Sequence, residues 1–184
     1  MSKQVQDAYI VAATRSPVGK APRGMFRNVR PDDLLAHVLK AAVAQCSGMD
    51  LKAIDDVIVG CAMPEAEQGM NVARIGLLLA GFPDTVSGLT INRFCSSGVQ
   101  AVAMAADRIR LGEADVMIAA GTESMSMVPT AGWKTVPSYS IATEEPDYYL
   151  NMGLTAEAVA NEYKVSREDQ DLFSYASHQK AIEA

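Results

Sequence analysis

The sequence predicts an α/β fold in which helices cover a mostly parallel sheet. Short apolar runs, typical of buried strands, alternate with segments whose apolar residues recur every three or four positions, as they do along one face of a helix. The resulting order is β-α-β-α-β-α-β, which indicates parallel strands joined by right-handed crossovers. A composition of 49% hydrophobic and 21% charged residues is typical of a soluble globular protein.

Each predicted element before Gly121 has its own signal in the sequence. We expect strands, each a short apolar run, at residues 9–13, 57–60, 89–91 and 116–120. The first helix begins at Pro31, because proline suits the first helical position and the carboxylates of Asp32 and Asp33 follow at the positive end of the helix dipole. Its predicted apolar stripe is Leu34, Leu35, Val38, Leu39, Ala42 and Val43. A second helix is expected over residues 70–81, with Val72, Ile75, Leu78 and Leu79 as its apolar positions.

The sequence pattern changes after Gly121. Residues 124–150 contain several prolines and polar residues without a clear period, which is typical of a functional or a disordered loop. Two helices are expected to follow. The first covers residues 156–163 with Thr155 as its cap, and the second begins at Ser166 with a capping box in which Asp169 replaces the usual Glu or Gln.

Charge and hydropathy exclude several classes of protein. The formal net charge of −6 argues against a nucleic-acid-binding surface, which would be basic. No apolar run approaches the roughly 20 residues that a membrane-spanning helix needs. Residues 1–7 are polar and lack the apolar core of a secretory signal, so we expect a cytoplasmic location. The length of 184 residues suggests one domain, or one domain and part of another.

The three cysteines form neither a CxxC pair nor a zinc-binding pattern, so no metal site is predicted. Cys46 and Cys61 lie at the end of a predicted helix and a predicted strand, and both are interpreted as packing residues. The two histidines have no neighbouring ligand set: His37 is expected on the first helix, beyond reach of Cys95, and His178 on a polar, solvated face of the last helix. Reduced thiols in a reducing compartment agree with this cysteine usage.

Cys95 has a different setting from the other two cysteines. It follows a predicted strand and precedes a strongly helical segment, so its sulfur is expected beside free backbone N–H groups and the positive end of a helix dipole. Both features stabilise a thiolate, which is the nucleophilic form of cysteine. The small residues Ser96, Ser97 and Gly98 would let an acyl group approach the sulfur closely. The pattern predicts covalent catalysis, with a small buried packing residue as the alternative.

The segment 92–98 (NRFCSSG) resembles the nucleophile segment of the thiolase family, whose members make and cleave 3-oxoacyl thioesters of coenzyme A. Four further segments resemble thiolases in the same order along the chain: 9–19 (YIVAATRSPVG), 68–74 (QGMNVAR), 120–126 (AGTESMS) and 152–157 (MGLTAE). The stretch 26–30 (FRNVR) is similar to the fatty-acid-degrading branch in particular. This resemblance extends from near residue 7 to residue 184.

The resemblance implies a division of the chain and an incomplete site. A thiolase is about twice this length and consists of two similar βαβαβαβ halves in a five-layer αβαβα sandwich. Residues 1–122 would be the first half, and residues 123–184 the beginning of a mostly helical loop domain that covers the active site and holds the coenzyme A arm. We expect the second half, with its activating histidine, second acid/base cysteine and water-holding asparagine, beyond residue 184.

The resemblance also implies an activity and its site residues. Cys95 would accept the acyl group, Met152 would line the acyl pocket, and Asn151 would occupy a neighbouring coenzyme A position. Many short-chain biosynthetic thiolases have histidine where Asn151 stands, which favours the degradative branch. Coenzyme A would be a co-substrate, with no bound cofactor. Glu123 could support the site by hydrogen bonding or serve as a structural carboxylate. Met125 and Met127 could likewise offer soft apolar surface to an acyl chain or fill the core.

Two alternatives remain beside the degradative thiolase. One is a biosynthetic acetoacetyl-CoA thiolase working in the condensing direction. The other is a non-catalytic fragment that binds acyl-CoA or partners, and the 184-residue chain by itself is expected to be inactive. By resemblance, the intact enzyme is a homodimer or a dimer of dimers with the strand before Cys95 near the subunit interface. It could also associate with the hydratase/dehydrogenase of β-oxidation.

Overall fold

Three parallel strands form the centre of the first of the two units into which the chain divides. The computed structural model describes residues 5–184, and the units are Met1–Thr135 and Val136–Ala184. Strands β1 (Asp56–Gly60), β2 (Ser87–Ile91) and β3 (Met117–Gly121) have the order β2-β1-β3. Helix α2 (Val72–Leu79) connects β1 to β2, and helix α3 (Ser97–Arg110) connects β2 to β3. The predicted α/β fold class is confirmed.

The two faces of β1 are covered by different helices. Val57 and Val59 belong to a buried cluster with Leu35 and Leu39 of helix α1 (Pro31–Ala44) and with residues of α2. Ile58, whose side chain points to the opposite face, packs with Ala101 and Ala105 of α3. Because the central strand is buried on both faces, it reads as a continuous apolar run in the sequence.

Helix α1 begins at Pro31 as predicted. Of its predicted apolar stripe, Leu35 and Leu39 are buried, whereas Leu34, Val38, Ala42 and Val43 are only half-buried. The half-buried positions line a cavity between α1, α3 and β3. The expected stripe is therefore correct in position, but only part of it reaches the core.

Helix α2 differs from its prediction in length and in its buried face. It begins at Val72 because Met70 and Asn71 have left-handed backbones, with φ of 54° and 67°. Its buried residues are Val72, Ala73, Gly76 and Leu77. The predicted positions Ile75, Leu78 and Leu79 are exposed, so that part of the prediction was wrong. The physical reason is close packing on α1, since a Cβ on Gly76 would lie 2.4 Å from Leu35 Cδ2.

The strand predicted at residues 9–13 does not form, so that prediction was wrong. Residues 8–16 line one side of the cavity of about 730 Å³, and β3 lines another. Their backbone therefore does not pair with the sheet, and Tyr9, Ile10 and Val11 are 77%, 81% and 75% exposed. The Ala13 backbone bonds instead to the Gln45 side chain, which accepts from its N–H at 3.3 Å and donates to its C=O at 3.1 Å.

Polar contacts hold the amino ends of the strands together. Asp55 accepts hydrogen bonds from the backbone N–H groups of Asp115 (2.7 Å) and Val116 (3.1 Å). The bonds from Val116 and Asp115 lower the pKa of the Asp55 carboxyl below its usual value. Arg108 of α3 donates to Asp56 at 2.8 Å, which holds α3 against β1.

The second unit is helical. It contains α4 (Tyr139–Glu144), a short 3₁₀ turn (Pro146–Tyr149), α5 (Met152–Tyr163) and α6 (Arg167–Glu183), so the region expected to be irregular has some regular structure. Helix α5 begins earlier than predicted. Its cap is Asn151, whose side chain accepts from the Leu154 N–H at 2.9 Å, and not Thr155. The predicted capping box of Ser166 and Asp169 is present at the start of α6.

The structural division after Thr135 lies beyond the boundary expected at residue 122. The assignment of the two parts as a core half and a loop domain stays a prediction. No helix within residues 5–184 is both long and apolar enough to cross a membrane.

Candidate active site

Cys95 lies in the turn between the carboxyl end of β2 and the first residue of α3. Strand β2 ends at Ile91, and α3 begins at Ser97 with Ser96 in the capping position. Cys95 is exposed in this chain, which disagrees with the alternative of a buried packing cysteine, and its role as a nucleophile stays a prediction. In open α/β sheets, ligands bind outside the carboxyl ends of the strands, which is where this sulfur is presented.

The backbone of the Cys95 turn is held by short hydrogen bonds on both sides of the cysteine. Phe94 has a left-handed backbone with φ of 47°. Its N–H donates to Asn92 Oδ1 at 2.8 Å, and its C=O accepts from Ser97 Oγ at 2.6 Å. Ser97 Oγ also accepts from the Arg93 N–H at 2.8 Å. The buried Ser97 hydroxyl therefore closes the turn from the helix side.

Close contact between α3 and β1 brings this turn to the centre of the sheet. A Cβ on Gly60 would lie 2.7 Å from Ser97 Cβ and 2.8 Å from the Gly98 nitrogen. Only glycine leaves room for the helix to begin so near the end of β1. The absence of a side chain at Gly60 is therefore a condition for the position of Cys95.

A second polar cluster joins the carboxyl ends of β1 and β3. Glu123 accepts from the Ala62 N–H at 2.6 Å and also from the amide of Gln68. Gln68 is fully buried, donates to the Met63 carbonyl at 2.9 Å and accepts from the Ser124 N–H at 3.0 Å. Glu123, which follows β3, is thus hydrogen-bonded to residues that follow β1. In the sequence, Gln68 is only the first residue of the thiolase-like segment 68–74, and nothing there predicted this role for it.

Cys61 lies beside this cluster and is 1% exposed, in agreement with its interpretation as a packing residue. Its sulfur is 4.0 Å from Glu123 Oε1. Burial raises the pKa of the Cys61 thiol to about 12, and the neighbouring Glu123 carboxylate adds to the increase. At neutral pH this thiol is protonated, so it is unsuited to act as a nucleophile.

The remaining candidate residues occupy separate places. Cys46 is half-buried beyond the end of α1, and His37 and His178 are exposed on α1 and α6. Met125 is exposed and Met127 is half-buried.

Asn151 and Met152 belong to the second unit. Met152 is 74% exposed and lines a groove of about 370 Å³ between α5 and the start of α6. Within residues 5–184, no group of His, Cys, Asp or Glu side chains could hold a metal ion.

The fold and the site together define an α/β protein that presents an exposed cysteine between a strand end and a helix start, as cysteine-dependent acyltransferases do. The family model for the thiolase N-terminal domain matches residues 8–184. The chain therefore belongs to the thiolase family.

Curated relatives agree with this assignment. The chain is 52% identical to the 3-ketoacyl-CoA thiolase of Bacillus subtilis over 180 residues, which are 98% of this chain and 46% of that protein. It is 39% identical to the 3-oxoadipyl-CoA/3-oxo-5,6-dehydrosuberyl-CoA thiolase of Escherichia coli, over 98% of this chain and 49% of that protein. The chain thus spans about half the length of these relatives.

Solved structures confirm the thiolase-like fold. The acetyl-CoA acetyltransferase of Bacillus anthracis matches with a TM-score of 0.79 and 38% identity, over 99% of this chain and 49% of that one. The dimeric peroxisomal thiolase of Saccharomyces cerevisiae matches with a TM-score of 0.83 and 34% identity, over 97% of this chain and 47% of that one.

Proposed function

We propose that this chain supplies the nucleophile of an acyltransferase that cleaves 3-oxoacyl-CoA with coenzyme A. The single observation that carries the proposal is the exposed Cys95 at the start of α3, in a chain of the thiolase family. The dipole at the first turn of a helix stabilises negative charge that develops nearby, which supports a catalytic role for a group at this position.

The reaction has two steps at the Cys95 sulfur. In the first, the thiolate attacks the 3-oxo carbon, an S–C bond forms, and the bond between carbons 2 and 3 breaks. Its electron pair remains on carbon 2, which takes up a proton and becomes the methyl carbon of acetyl-CoA. In the second, the coenzyme A thiolate attacks the acyl-cysteine carbonyl, forms the shortened acyl-CoA and releases the Cys95 thiolate.

The two steps need groups besides the nucleophile. The backbone N–H of Cys95 would donate one hydrogen bond to the tetrahedral oxyanion. The acid/base that protonates carbon 2 is expected, by resemblance, from the second half of the thiolase fold. We assign Met152 to the acyl surface, since it lines an apolar groove on α5. The assignment of Asn151 to the neighbouring coenzyme A position rests on the resemblance to thiolases. Acyl-CoA and coenzyme A would be the small-molecule partners.

Covalent labelling tests this role of Cys95 in the full-length protein that contains residues 1–184. After incubation with radiolabelled acyl-CoA, the native protein should retain label, and Cys95→Ser should retain none. Thiolysis should fall by roughly 10⁴-fold or more, because loss of a catalytic nucleophile has effects of this size. Cys46→Ser is the matched control and should label normally. Persistent label on Cys95→Ser would refute the proposal.

The degradative direction is favoured over the biosynthetic one by Asn151 and by the 52% identity to a 3-ketoacyl-CoA thiolase. The similarity to an acetyl-CoA acetyltransferase supports the biosynthetic candidate. Rates on acetoacetyl-CoA and on a long-chain 3-oxoacyl-CoA separate the two. A degradative enzyme should cleave the long-chain substrate at a rate comparable with acetoacetyl-CoA, whereas a biosynthetic one should act on acetoacetyl-CoA alone.

The assembly and the location of the intact protein are also part of the proposal. A similar solved thiolase is described as dimeric, which supports a homodimer or a dimer of dimers. Association with the hydratase/dehydrogenase of β-oxidation and a cytoplasmic location are proposed by resemblance and from the polar first residues.

A further inference from the structure

The turn that carries Cys95 has a backbone conformation that its own residues do not favour. Phe94, immediately before the cysteine, has φ of 47°, which bulky L-residues rarely adopt. Its side chain is 64% exposed in this chain, so contacts of the ring with residues 5–184 contribute little to holding this conformation. Hydrogen bonds to the turn must therefore supply much of the restraint.

Ser97 restrains the turn from the helix side, and Asn92 makes two bonds that restrain it from the sheet side. Its Oδ1 accepts from the Phe94 N–H at 2.8 Å, which closes the strained turn. Its Nδ2 donates to the Ala62 carbonyl at 3.0 Å, just beyond the end of β1. One side chain therefore shapes the turn and attaches it to the central strand of the sheet.

The backbone of Ala62 also bonds to Glu123. The Ala62 N–H donates to Glu123 Oε2 at 2.6 Å, and the other carboxylate oxygen accepts from the buried Gln68 amide. Glu123 follows β3, so the series Glu123–Ala62–Asn92 connects the carboxyl ends of all three strands. A displacement of Glu123 would be transmitted to the turn through two hydrogen bonds.

We propose that Asn92 is a positioning residue for Cys95 and that Glu123 supports it through Ala62. The proposal rests on the proposed function, since it concerns the geometry of the acyl-accepting sulfur. Correct placement of a reacting group is worth large factors in rate, and a misplacement of about 1 Å can cost roughly 100-fold. Asn92 and Glu123 therefore influence the rate of acylation without bonding to the substrate.

The test compares single-turnover acylation of Cys95 in full-length variants. Asn92→Ala removes both bonds and should slow acylation by about 10- to 100-fold. Asn92→Ser keeps an acceptor for the Phe94 N–H, because serine closes similar turns, but it is too short for Ala62. It should recover part of the lost rate. For both variants the KM for acyl-CoA should change by less than about threefold, since a positioning defect acts on the chemical step.

Asn71→Ser is the matched control. Asn71 also accepts from a neighbouring group, Thr90 Oγ1 at 2.7 Å, and donates to a strand carbonyl, that of Gly88 at 2.8 Å. The Asn71→Ser variant should lower the thermal midpoint of unfolding about as much as Asn92→Ser does. Its acylation rate should stay within about twofold of the native rate. Acylation within twofold of the native rate in Asn92→Ala, or an equal loss in Asn71→Ser, would overturn the proposal.

The role of Glu123 is tested by a double-mutant cycle. Glu123→Gln leaves one side-chain oxygen to accept from both the Ala62 N–H and the Gln68 amide, so one of these bonds is weakened. This variant should slow acylation by a smaller factor than Asn92→Ala does. In the double variant the two losses should be less than multiplicative, because both act through Ala62. Fully multiplicative losses would contradict the supporting role of Glu123. Cys95→Ser in the same assay separates the two proposals, since label on that variant refutes the nucleophile, whereas normal acylation in Asn92→Ala refutes only the positioning.

Discussion

Three cysteines in one chain have three different environments. Cys95 is exposed, Cys46 is half-buried and Cys61 is fully buried beside Glu123. A buried thiol next to a carboxylate resists ionisation, whereas an exposed thiol can be reached by a substrate. The same side chain is therefore suited to packing at one position and to chemistry at another.

The raised pKa of Cys61 predicts a loss of stability at alkaline pH. In the unfolded chain this thiol titrates at its ordinary value of 9.0, and in the folded protein its pKa is about 12. Between these values the unfolded state loses a proton that the folded state keeps, so stability is fully present below the lower value and falls as the pH rises. Because of Cys61, the free energy of unfolding should fall by about 2 kcal/mol between pH 8 and pH 10.5.

Urea unfolding of the full-length protein at pH 8 and pH 10.5 measures this loss. Cys61→Ala should remove the contribution, whereas Cys46→Ala should keep it. Lysine and tyrosine titration is common to all three proteins and cancels in the comparison. Equal pH dependence in native protein and Cys61→Ala would show that burial of Cys61 does not control this loss.

Helix α5 shows how one residue can have a local and a functional role. Asn151 caps the helix through its side-chain oxygen, and its carbonyl accepts from Thr155 Oγ1 at 3.0 Å. The proposed coenzyme A contact uses the same side chain. A substitution at Asn151 therefore needs measurements that separate capping from binding.

We predict that Asn151→Ala destabilises the first turn of α5 by about 1 kcal/mol, the usual value of a side-chain cap. The Leu154 amide should then exchange with solvent about fivefold faster, as measured by hydrogen exchange. Asn151→Ser should restore protection, since serine is also a good cap. If Asn151 also contacts coenzyme A, the KM should remain raised in Asn151→Ser. A normal KM in that variant would limit Asn151 to capping.

At the scale of the whole chain, the described sheet of the first unit has two edge strands. β1 pairs on both sides, but within the described sheet β2 and β3 each pair on one side only. Beside β3 lies the cavity of about 730 Å³, and the apolar residues 9–11 beyond it are exposed. Unpaired strand edges and apolar surface of this kind promote association with other chains.

We therefore predict that residues 1–184 alone self-associate and do not sustain thiolysis. Light scattering after size-exclusion chromatography should show particles larger than a 19.6 kDa monomer. A thiolysis assay should show no steady turnover. The full-length protein under the same conditions is the control. A monomeric chain that unfolds cooperatively, or any steady turnover by it, would contradict the prediction.

Local signals in the sequence were sufficient for much of this protein. Pro31 with its following carboxylates marked α1, Ser166 and Asp169 marked α6, and the apolar runs marked three of the strands. The order of these elements determined the α/β class. The sequence also placed Cys95 between a strand and a helix, because these features depend on residues close together in the chain.

The tertiary structure decided what depends on distant residues. The run at 9–13 is apolar enough for a strand, yet a strand forms only where a neighbouring backbone can pair with it. The buried face of α2 was set by the space that Gly76 leaves for Leu35, which no periodicity in α2 itself could reveal. In the same way, the hydrogen bonds of Ala62 with Asn92 and with Glu123 join residues that only the sheet brings together.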